Sequence, residues 1–137
     1  MTRASLTRSL RFRAAHHYRR TDWTDVENRR VFGVNVEPHE HEYTLAVTVR
    51  GEVDPATSFL VDLPELDRAI EDVVRPLRGR NLAEVIDEAR EGRLLPSTEG
   101  LAEWFYRQLE RRIPAPAGLV RIRVAESEDL AAEFPAD

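Results

Sequence analysis

The sequence of 137 residues contains no cysteine. Without cysteine the chain can form no disulfide, no thiolate metal site and no cysteine nucleophile. The chain also lacks an apolar run long enough to cross a membrane, and its first residues, MTRASLTRSLRFRAAHH, lack the apolar segment of a signal peptide. We therefore expect a cytoplasmic protein that does not bind membranes.

A surplus of positive charge is missing as well. The formal net charge is −5, and the arginines occur in short, separated groups, which is typical of a solvated surface rather than of a nucleic-acid-binding face. No repeat, low-complexity segment or Gly/Ser linker divides the chain, whose length suffices for one hydrophobic core. These features predict a single domain over residues 1–137 that does not bind nucleic acid.

Three stretches alternate between apolar and polar residues, as half-buried strands do. They are residues 5–16, 39–50 and 118–128. A further short strand is expected near Phe134. The first two strands follow each other without a crossover helix, so the pattern predicts an α+β fold with an antiparallel sheet.

Three helices are expected between the second and third strands. They cover residues 61–77, 81–92 and 97–113. Each begins at a residue whose side chain can cap a helix, namely Asp62, Asn81 or Ser97. Residues 17–38 are rich in polar and turn-forming residues, and the prediction for them is a long loop.

The histidines indicate a metal site. His39 and His41 lie two positions apart in a strand, so their side chains point to the same face, and His16 ends the first strand on its apolar face. Three imidazoles with an open fourth position are typical of a catalytic zinc site. There are simpler alternatives for both parts of this pattern. His39 and His41 can be ordinary polar residues at the start of a strand, and His16 can be a hydrogen-bonded histidine of the core. Glu40 and His17 have the opposite parity; Glu40 should face away from the metal, and His17 should be exposed or take part in proton transfer.

Glu126 is the second unusual residue, because it continues the apolar face of the third strand. A buried carboxylate needs hydrogen-bond donors. These donors are either the two parallel N–H groups of a heterocycle such as an aminopyrimidinone or an arginine of this chain. Ser97, Thr98 and Glu99 open the third helix, where capping explains Ser97 and the helix dipole explains Glu99; ligand binding is the alternative.

Several segments, taken in order, resemble the 6-pyruvoyltetrahydropterin synthase family, which includes 6-carboxytetrahydropterin synthase of the 7-deazaguanine pathway. They are FRAAH at 12–16, HEHEYTLAVTVRGEVD at 39–54, VDLPELD at 61–67, PSTEGLAEW at 96–104 and AES at 125–127. The resemblance implies the tunnelling fold, an antiparallel sheet with helices packed on one face. It also implies that subunits join their sheets into a barrel, usually as a homohexamer made of two trimers.

The resemblance further implies which residues form the site. Zinc would be bound by His16, His39 and His41. A pterin or purine-like substrate would be held by Glu126, with Ser97, Thr98 and Glu99 nearby, between subunits.

The chain departs from the family at the positions that transfer protons. The family has a cysteine four residues before the first histidine of H-G-H and an Asp–His pair in L-D-H-x-x-L; here these positions are Asn35, Arg78 and Gly79. None of the three can exchange a proton near neutral pH as those groups do. Glu37 is the candidate for a substitute base, with an exposed loop glutamate as the alternative. Arg78 could bind a phosphate or carboxylate tail or remain a solvated arginine.

Two further departures are structural. The glycine of H-G-H is Glu40, and the G-M-V turn reads SFL at 58–60. The leading functional hypothesis is a zinc-dependent carbon–oxygen or carbon–carbon lyase acting on dihydroneopterin triphosphate or a related reduced pterin. The alternative is a paralogue that lacks the parent reaction and serves as a zinc-containing pterin- or purine-binding module. A purely structural zinc is the third interpretation.

Overall fold

The computed structural model describes residues 2–137. Its strands form one antiparallel sheet in the order β1-β2-β3-β4. They are β1 (Arg3–His16), β2 (His39–Glu52), β3 (Gly118–Ser127) and β4 (Leu130–Phe134). The α+β class, the three alternating strands and the short strand at Phe134 are thereby confirmed.

The helices lie mainly between β2 and β3. They are α1 (Asp25–Phe32), α2 (Leu63–Val74), α3 (Leu82–Val85), α4 (Asp87–Arg90) and α5 (Thr98–Leu109). Asp62 and Ser97 accept hydrogen bonds from backbone amides of the first turns of α2 and α5, and Asn81 does so for α3, which confirms the three expected caps. In the described residues 2–137, no helix combines the length and apolar character needed to cross a bilayer.

The hydrophobic core lies between one face of the sheet and the helices. Alternate residues of β2 from Tyr43 to Val49 are buried, while their neighbours are exposed or half-buried. Helix α5 packs against β3 and β4, and α2 packs against α5. The alternation therefore assigns the two faces of the sheet correctly.

The prediction of a loop over residues 17–38 is wrong in its central part, because residues 25–32 form α1 and Gly33–Val36 form a 3-10 turn. The inward residue of α1 is Asn28, which is fully buried. Its side chain accepts a hydrogen bond from the amide of Arg20 and donates to the carbonyl of Arg20 and to that of Thr24. A helix that is held by a polar side chain has no apolar stripe to reveal it.

The structure differs in detail from two other expectations, the helix over 81–92 and the strict alternation of β3. The helix expected over 81–92 is broken at Ile86, whose extended backbone places its side chain in the core. In β3, Leu119 pairs with Val49 and Arg121 pairs with Thr48, so Val120 is an extra residue at a bulge.

The outer edge of β1 is covered only near its end. The amide of Gly79 donates to the carbonyl of Arg13, and the amide of Ala15 donates to the carbonyl of Arg80. The Arg78 guanidinium donates to the carbonyl of Arg11. The segment at 78–81 thus continues the sheet beside the end of β1 that carries His16.

Candidate metal centre

The pairing of β1 with β2 brings the three histidines together. His16 is opposite His39 in the register, and His41 is opposite Ala14. One ligand nitrogen from each histidine lies within 4.8 Å of the other two. The structure therefore gathers the three residues that the parity argument selected, and the group could hold a metal ion. Glu40 is exposed on the opposite face, where it lies 3.4 Å from Arg13.

Backbone carbonyls fix two of the imidazole rings. Nδ1 of His16 lies 2.8 Å from the carbonyl oxygen of Pro96, and Nδ1 of His39 lies 3.1 Å from that of Glu37. A carbonyl can only accept a hydrogen bond, so both Nδ1 atoms carry a proton. In the neutral rings the Nε2 atoms then present free lone pairs, which is the arrangement usual for metal-binding histidines.

These lone pairs require a positive partner. Nε2 of His16 lies 2.9 Å from Nε2 of His39, and Nε2 of His41 is buried without a hydrogen-bond partner. A proton between the first two nitrogens would make one ring cationic, yet burial lowers the pKa of His16, and the neighbouring His39 and His41 also lower it. A metal cation satisfies all three nitrogens together. The donor set therefore fits zinc, whose nitrogen ligands lie about 3.3 Å apart in a tetrahedral site.

Glu126 lies beside the histidines. Its side chain is 14% exposed, and Oε2 lies 3.9 Å from Nε2 of His16 and 3.8 Å from Nε2 of His41. This oxygen is buried and has no hydrogen-bond partner. Within residues 2–137, the basic groups within 4.0 Å of the carboxylate are these two histidines rather than an arginine.

The start of α5 borders the same site through the Pro96 carbonyl. Ser97 accepts a hydrogen bond from the amide of Gly100, so its hydroxyl caps the helix. Thr98 is buried, and Glu99 is exposed in the first turn. Capping thus accounts for Ser97, whereas Glu99 is free to face a ligand.

The structure also shows the surroundings of Glu37, the candidate base, and of the three positions where the chain departs from the family pattern. The carboxylate of Glu37 is exposed and forms an ion pair of 2.8 Å with Arg29. Asn35 is exposed, and its carbonyl accepts the amide of Tyr18. Arg78 donates two hydrogen bonds to the carboxylate of Glu71, and its side chain is 41% exposed. Gly79 has φ +70, in the left-handed region.

His17 lies outside the metal cluster. It is half-buried, and its Nδ1 lies 3.0 Å from the side-chain amide nitrogen of Asn81. The amide nitrogen is a donor, so Nδ1 of His17 accepts the hydrogen bond. The contact anchors the N-cap of α3 to the residue that follows β1.

Two tyrosines of the site were not selected from the sequence. The ring of Tyr18 lies edge-on to that of His16 with centroids 5.0 Å apart, and the ring of Tyr43 is 5.9 Å from His16. Burial, which has the largest effect, and the carboxylates of Glu126 and Glu99 together raise the pKa of Tyr18 to about 12. The phenol of Tyr18 therefore stays protonated beside both acids. The sequence does contain a signal for Tyr18: it lies two residues after His16, so strand alternation would place it on the same face as His16.

Tyr43 has a buried hydroxyl without a partner. Burial raises its pKa, and Glu126 and Tyr18 add to the effect. An unpaired buried hydroxyl is costly, so this group and Glu126 leave hydrogen-bonding capacity for a ligand. Tyr43 belongs to the face of β2 that carries His39 and His41.

The fold and the site together define the class. A four-stranded antiparallel sheet with helices on one face, carrying three histidines at the end of β1 and the start of β2, is the tunnelling fold with a candidate metal centre. The 6-pyruvoyl tetrahydropterin synthase family matches residues 5–137. The chain belongs to this family.

Individual relatives agree with the assignment. The 6-pyruvoyl tetrahydrobiopterin synthase of Homo sapiens is 30% identical over 129 residues, which cover 92% of this chain and 87% of the relative. The dihydroneopterin monophosphate aldolase of Pyrococcus furiosus is 25% identical over 123 residues, or 90% of each chain. The solved structure of 6-pyruvoyl tetrahydropterin synthase from Caenorhabditis elegans superposes with a TM-score of 0.89 at 25% identity, covering 98% of this chain and 96% of that one.

Proposed function

We propose that this protein is a zinc-dependent lyase that acts on dihydroneopterin triphosphate or a related reduced pterin. The convergence of three histidine Nε2 atoms, whose rings are oriented by backbone carbonyls, next to the buried Glu126 carboxylate carries the proposal. The names of the human and Pyrococcus relatives support a pterin substrate. The Pyrococcus name, an aldolase, supports carbon–carbon cleavage as the reaction.

In this proposal His16, His39 and His41 hold the zinc ion. Bound zinc would polarise the hydroxyl and carbonyl oxygens of the pterin side chain, which acidifies the adjacent C–H and O–H groups. The contacts of His16 and His39 to Pro96 and Glu37 keep both rings in the tautomer that leaves Nε2 free.

Glu126 would anchor the heterocycle. Its carboxylate can accept two parallel N–H bonds from the aminopyrimidinone edge of a pterin, a charge-assisted pair that fixes orientation as well as position. Thr98, Glu99 and the Ser97 backbone at the start of α5 would border the ring, and the protonated phenol of Tyr18 can donate a hydrogen bond to it.

Proton transfer is assigned to Glu37. The carbonyl of Glu37 contacts His39, so the residue is adjacent to the centre even though its carboxylate binds Arg29. The carboxylate would exchange Arg29 for the substrate when it removes a proton.

A second candidate function is a pterin- or purine-binding module without the parent reaction. Three observations favour it together: Asn35 cannot exchange protons, Arg78 is held by Glu71, and Gly79 has no side chain. Arg78 could bind a phosphate tail only by giving up the Glu71 contact.

The proposal includes a homohexamer of two trimers. Two edges of the sheet could pair with another subunit, namely β4 and the part of β1 that residues 78–81 leave uncovered. In such an assembly a neighbouring subunit could supply a proton-transferring group to this site.

Turnover by the zinc-loaded protein distinguishes the candidates. Dihydroneopterin triphosphate, dihydroneopterin monophosphate and sepiapterin are incubated separately with wild-type protein and with Glu126→Gln. Release of inorganic triphosphate reports carbon–oxygen cleavage, and release of a two-carbon aldehyde reports carbon–carbon cleavage. Turnover in the wild type that is lost in Glu126→Gln but kept in Glu128→Gln supports the lyase. Pterin binding without turnover supports the binding module, and absence of binding contradicts both.

A further inference from the structure

Helix α1 is joined to the metal centre by aromatic contacts. The ring of Phe32 lies edge-on to the ring of Tyr18 with centroids 5.9 Å apart, and the ring of Tyr18 lies edge-on to that of His16 at 5.0 Å. Arg29 precedes Phe32 by three residues in α1, so the two side chains lie on the same side of the helix. The side of α1 that borders the histidines therefore carries a cation.

The cation is bound to a residue that also contacts the centre. Nη2 of Arg29 donates a hydrogen bond of 2.8 Å to Oε1 of Glu37, and the carbonyl of Glu37 lies 3.1 Å from Nδ1 of His39. The side chains of Arg29 and Glu37 are each 63% exposed. An ion pair with this exposure is weak, so a ligand can replace the carboxylate at Arg29 at low cost.

Arg29 differs from the other arginines of residues 17–38 in its partner. Arg19, Arg20 and Arg30 pair with acidic residues at positions 22–27. Arg20 and Arg30 each donate two hydrogen bonds to one carboxylate, whereas Arg29 donates a single hydrogen bond. A guanidinium has five N–H groups, so most of those of Arg29 are available to a further acceptor.

The backbone that carries Arg29 is held by buried and backbone contacts. The buried side chain of Asn28, the preceding residue, hydrogen-bonds to backbone groups of residues 20–24. The amide of Tyr18 donates to the carbonyl of Asn35 at 2.8 Å. The guanidinium therefore extends from a fixed backbone, and less conformational freedom is lost when it binds a ligand.

We infer that Arg29 binds a phosphate group of the substrate and that the protein selects phosphorylated pterins. A guanidinium can donate two parallel N–H bonds to a phosphate, and this charge-assisted pair is stronger than a bond to a neutral hydroxyl or carbonyl group. The phosphate replaces the Glu37 carboxylate at Arg29 and leaves that carboxylate free beside the substrate. The inference rests on the proposed function and adds the substrate class that the site prefers.

Arg78 is a poorer candidate for the phosphate. Its guanidinium donates two hydrogen bonds to Glu71 and a third to the carbonyl of Arg11. A phosphate would have to replace several of these bonds at Arg78, but only one bond at Arg29.

Neopterin and neopterin monophosphate test the preference, because these two fluorescent pterins differ only in the phosphate. Their oxidised ring also separates binding from the turnover of a reduced pterin. Fluorescence titration of the zinc-loaded protein gives the dissociation constant of each compound. The variants are Arg29→Gln, Arg29→Lys, Glu37→Gln and Arg30→Gln. Arg30 is the matched control, because it is the next residue of α1, is also exposed and pairs with Glu27.

We expect the wild type and Arg30→Gln to bind neopterin monophosphate at least about tenfold more tightly than neopterin. Arg29→Gln should lose most of this preference. Arg29→Lys should keep part of it, since lysine retains the charge without the planar fork. Glu37→Gln should increase the preference, because the competing carboxylate is gone. The affinity for neopterin should be the same in both Arg29 variants and the wild type, which shows that their site is folded.

A phosphate preference that is absent in the wild type, or that is equal in Arg29→Gln and the wild type, overturns the inference. A preference that Arg30→Gln reduces as much as Arg29→Gln also overturns it, because net charge then explains the effect. An unchanged preference in Glu37→Gln overturns the exchange with Glu37.

The lyase is tested separately by turnover of dihydroneopterin monophosphate. If the preference depends on Arg29 but no product forms, the inference holds and the lyase fails. If product forms but the preference does not depend on Arg29, the lyase holds and the inference fails. If neither neopterin compound binds to the wild type, the inference fails together with the pterin site on which it rests.

Discussion

The ring of His16 donates a hydrogen bond to the carbonyl of Pro96, a residue 80 positions later in the chain, at 2.8 Å. The contact joins the end of β1 to the start of α5. It orients His16 through the fold itself, so the ring does not depend on a metal for its position. Backbone carbonyls therefore preorganise two of the three candidate ligands, His16 and His39.

Metal content should depend on the three histidines and not on the fourth. We expect about one zinc per chain in the wild type and in His17→Asn, and well below half of that in His39→Ala, because two imidazoles leave zinc without enough ligands. Elemental analysis of the purified proteins measures the content. Equal zinc in His39→Ala and the wild type would contradict the site.

The metal-free protein should lose stability as the pH falls below neutrality. Burial lowers the pKa of His16 from its ordinary value of 6.5, so below that value the unfolded chain binds a proton more readily than the folded one. The contribution of neutral His16 to the free energy of unfolding is complete above pH 6.5, and it is lost as the pH drops through the lowered pKa of His16. Urea unfolding in EDTA between pH 8 and pH 5 measures it. The His16→Asn variant should show a flatter dependence, and an equally steep one would exclude His16 as the cause.

Ser58 adopts φ 65, a backbone conformation that favours glycine. The resemblance places the glycine of the G-M-V turn at this position. Ser58→Gly should therefore raise the free energy of unfolding by about 0.5–1 kcal/mol, since the relief of left-handed strain exceeds the added entropy of the unfolded chain. Urea unfolding measures the change. Ser9→Gly, in the exposed part of β1, should have the opposite sign; destabilisation by both changes would show that Ser58 is not strained.

Introducing at positions 78 and 79 the Asp–His pair that the resemblance implies should cost stability. Arg78→Asp removes the partner of Glu71 and places two carboxylates together, and Gly79→His puts a side chain at φ +70. We expect a loss of about 1 kcal/mol for Gly79→His. Arg78→Asp should lose about 0.5 kcal/mol more than the uncharged Arg78→Gln, because the pair is partly exposed. Thermal unfolding of the single variants measures both. Equal stability of the Asp and Gln variants would show that Glu71 does not interact with residue 78.

Asn28 should be the most sensitive residue of α1. Asn28→Ala leaves the buried backbone groups around Arg20 without their side-chain partner, and we expect a loss of about 2–3 kcal/mol. Asn35→Ala, at an exposed position, should stay within about 0.5 kcal/mol of the wild type. Urea unfolding measures both variants. A similar loss in the two would contradict the buried network.

The part of the fold that hydrophobic patterning controls could be predicted. Side chains of a strand alternate strictly between faces, so the positions of His39, His41 and Glu126 relative to the core followed from parity. Side-chain capping of backbone amides predicted where α2 and α5 begin. The convergence of His16 with His39 needed the register of two strands, which the resemblance supplied and the structure confirmed.

Other features depend on contacts that a sequence pattern does not encode. Helix α1 is held by the hydrogen bonds of Asn28 and not by an apolar stripe. Arg78 is recognised as an ion-paired residue only through Glu71, which lies seven residues earlier, across the end of α2 and a 3-10 segment. Carbonyl partners such as Pro96 are invisible in a sequence because every residue has a carbonyl.

The segment at 78–81 limits how the sheet can grow. It occupies the outer hydrogen-bonding groups of β1 from Arg11 to Ala15, so an incoming strand can pair only with the half that begins at Arg3. The histidine end of β1 is thereby protected from unregulated edge-to-edge association, a general hazard of open sheets.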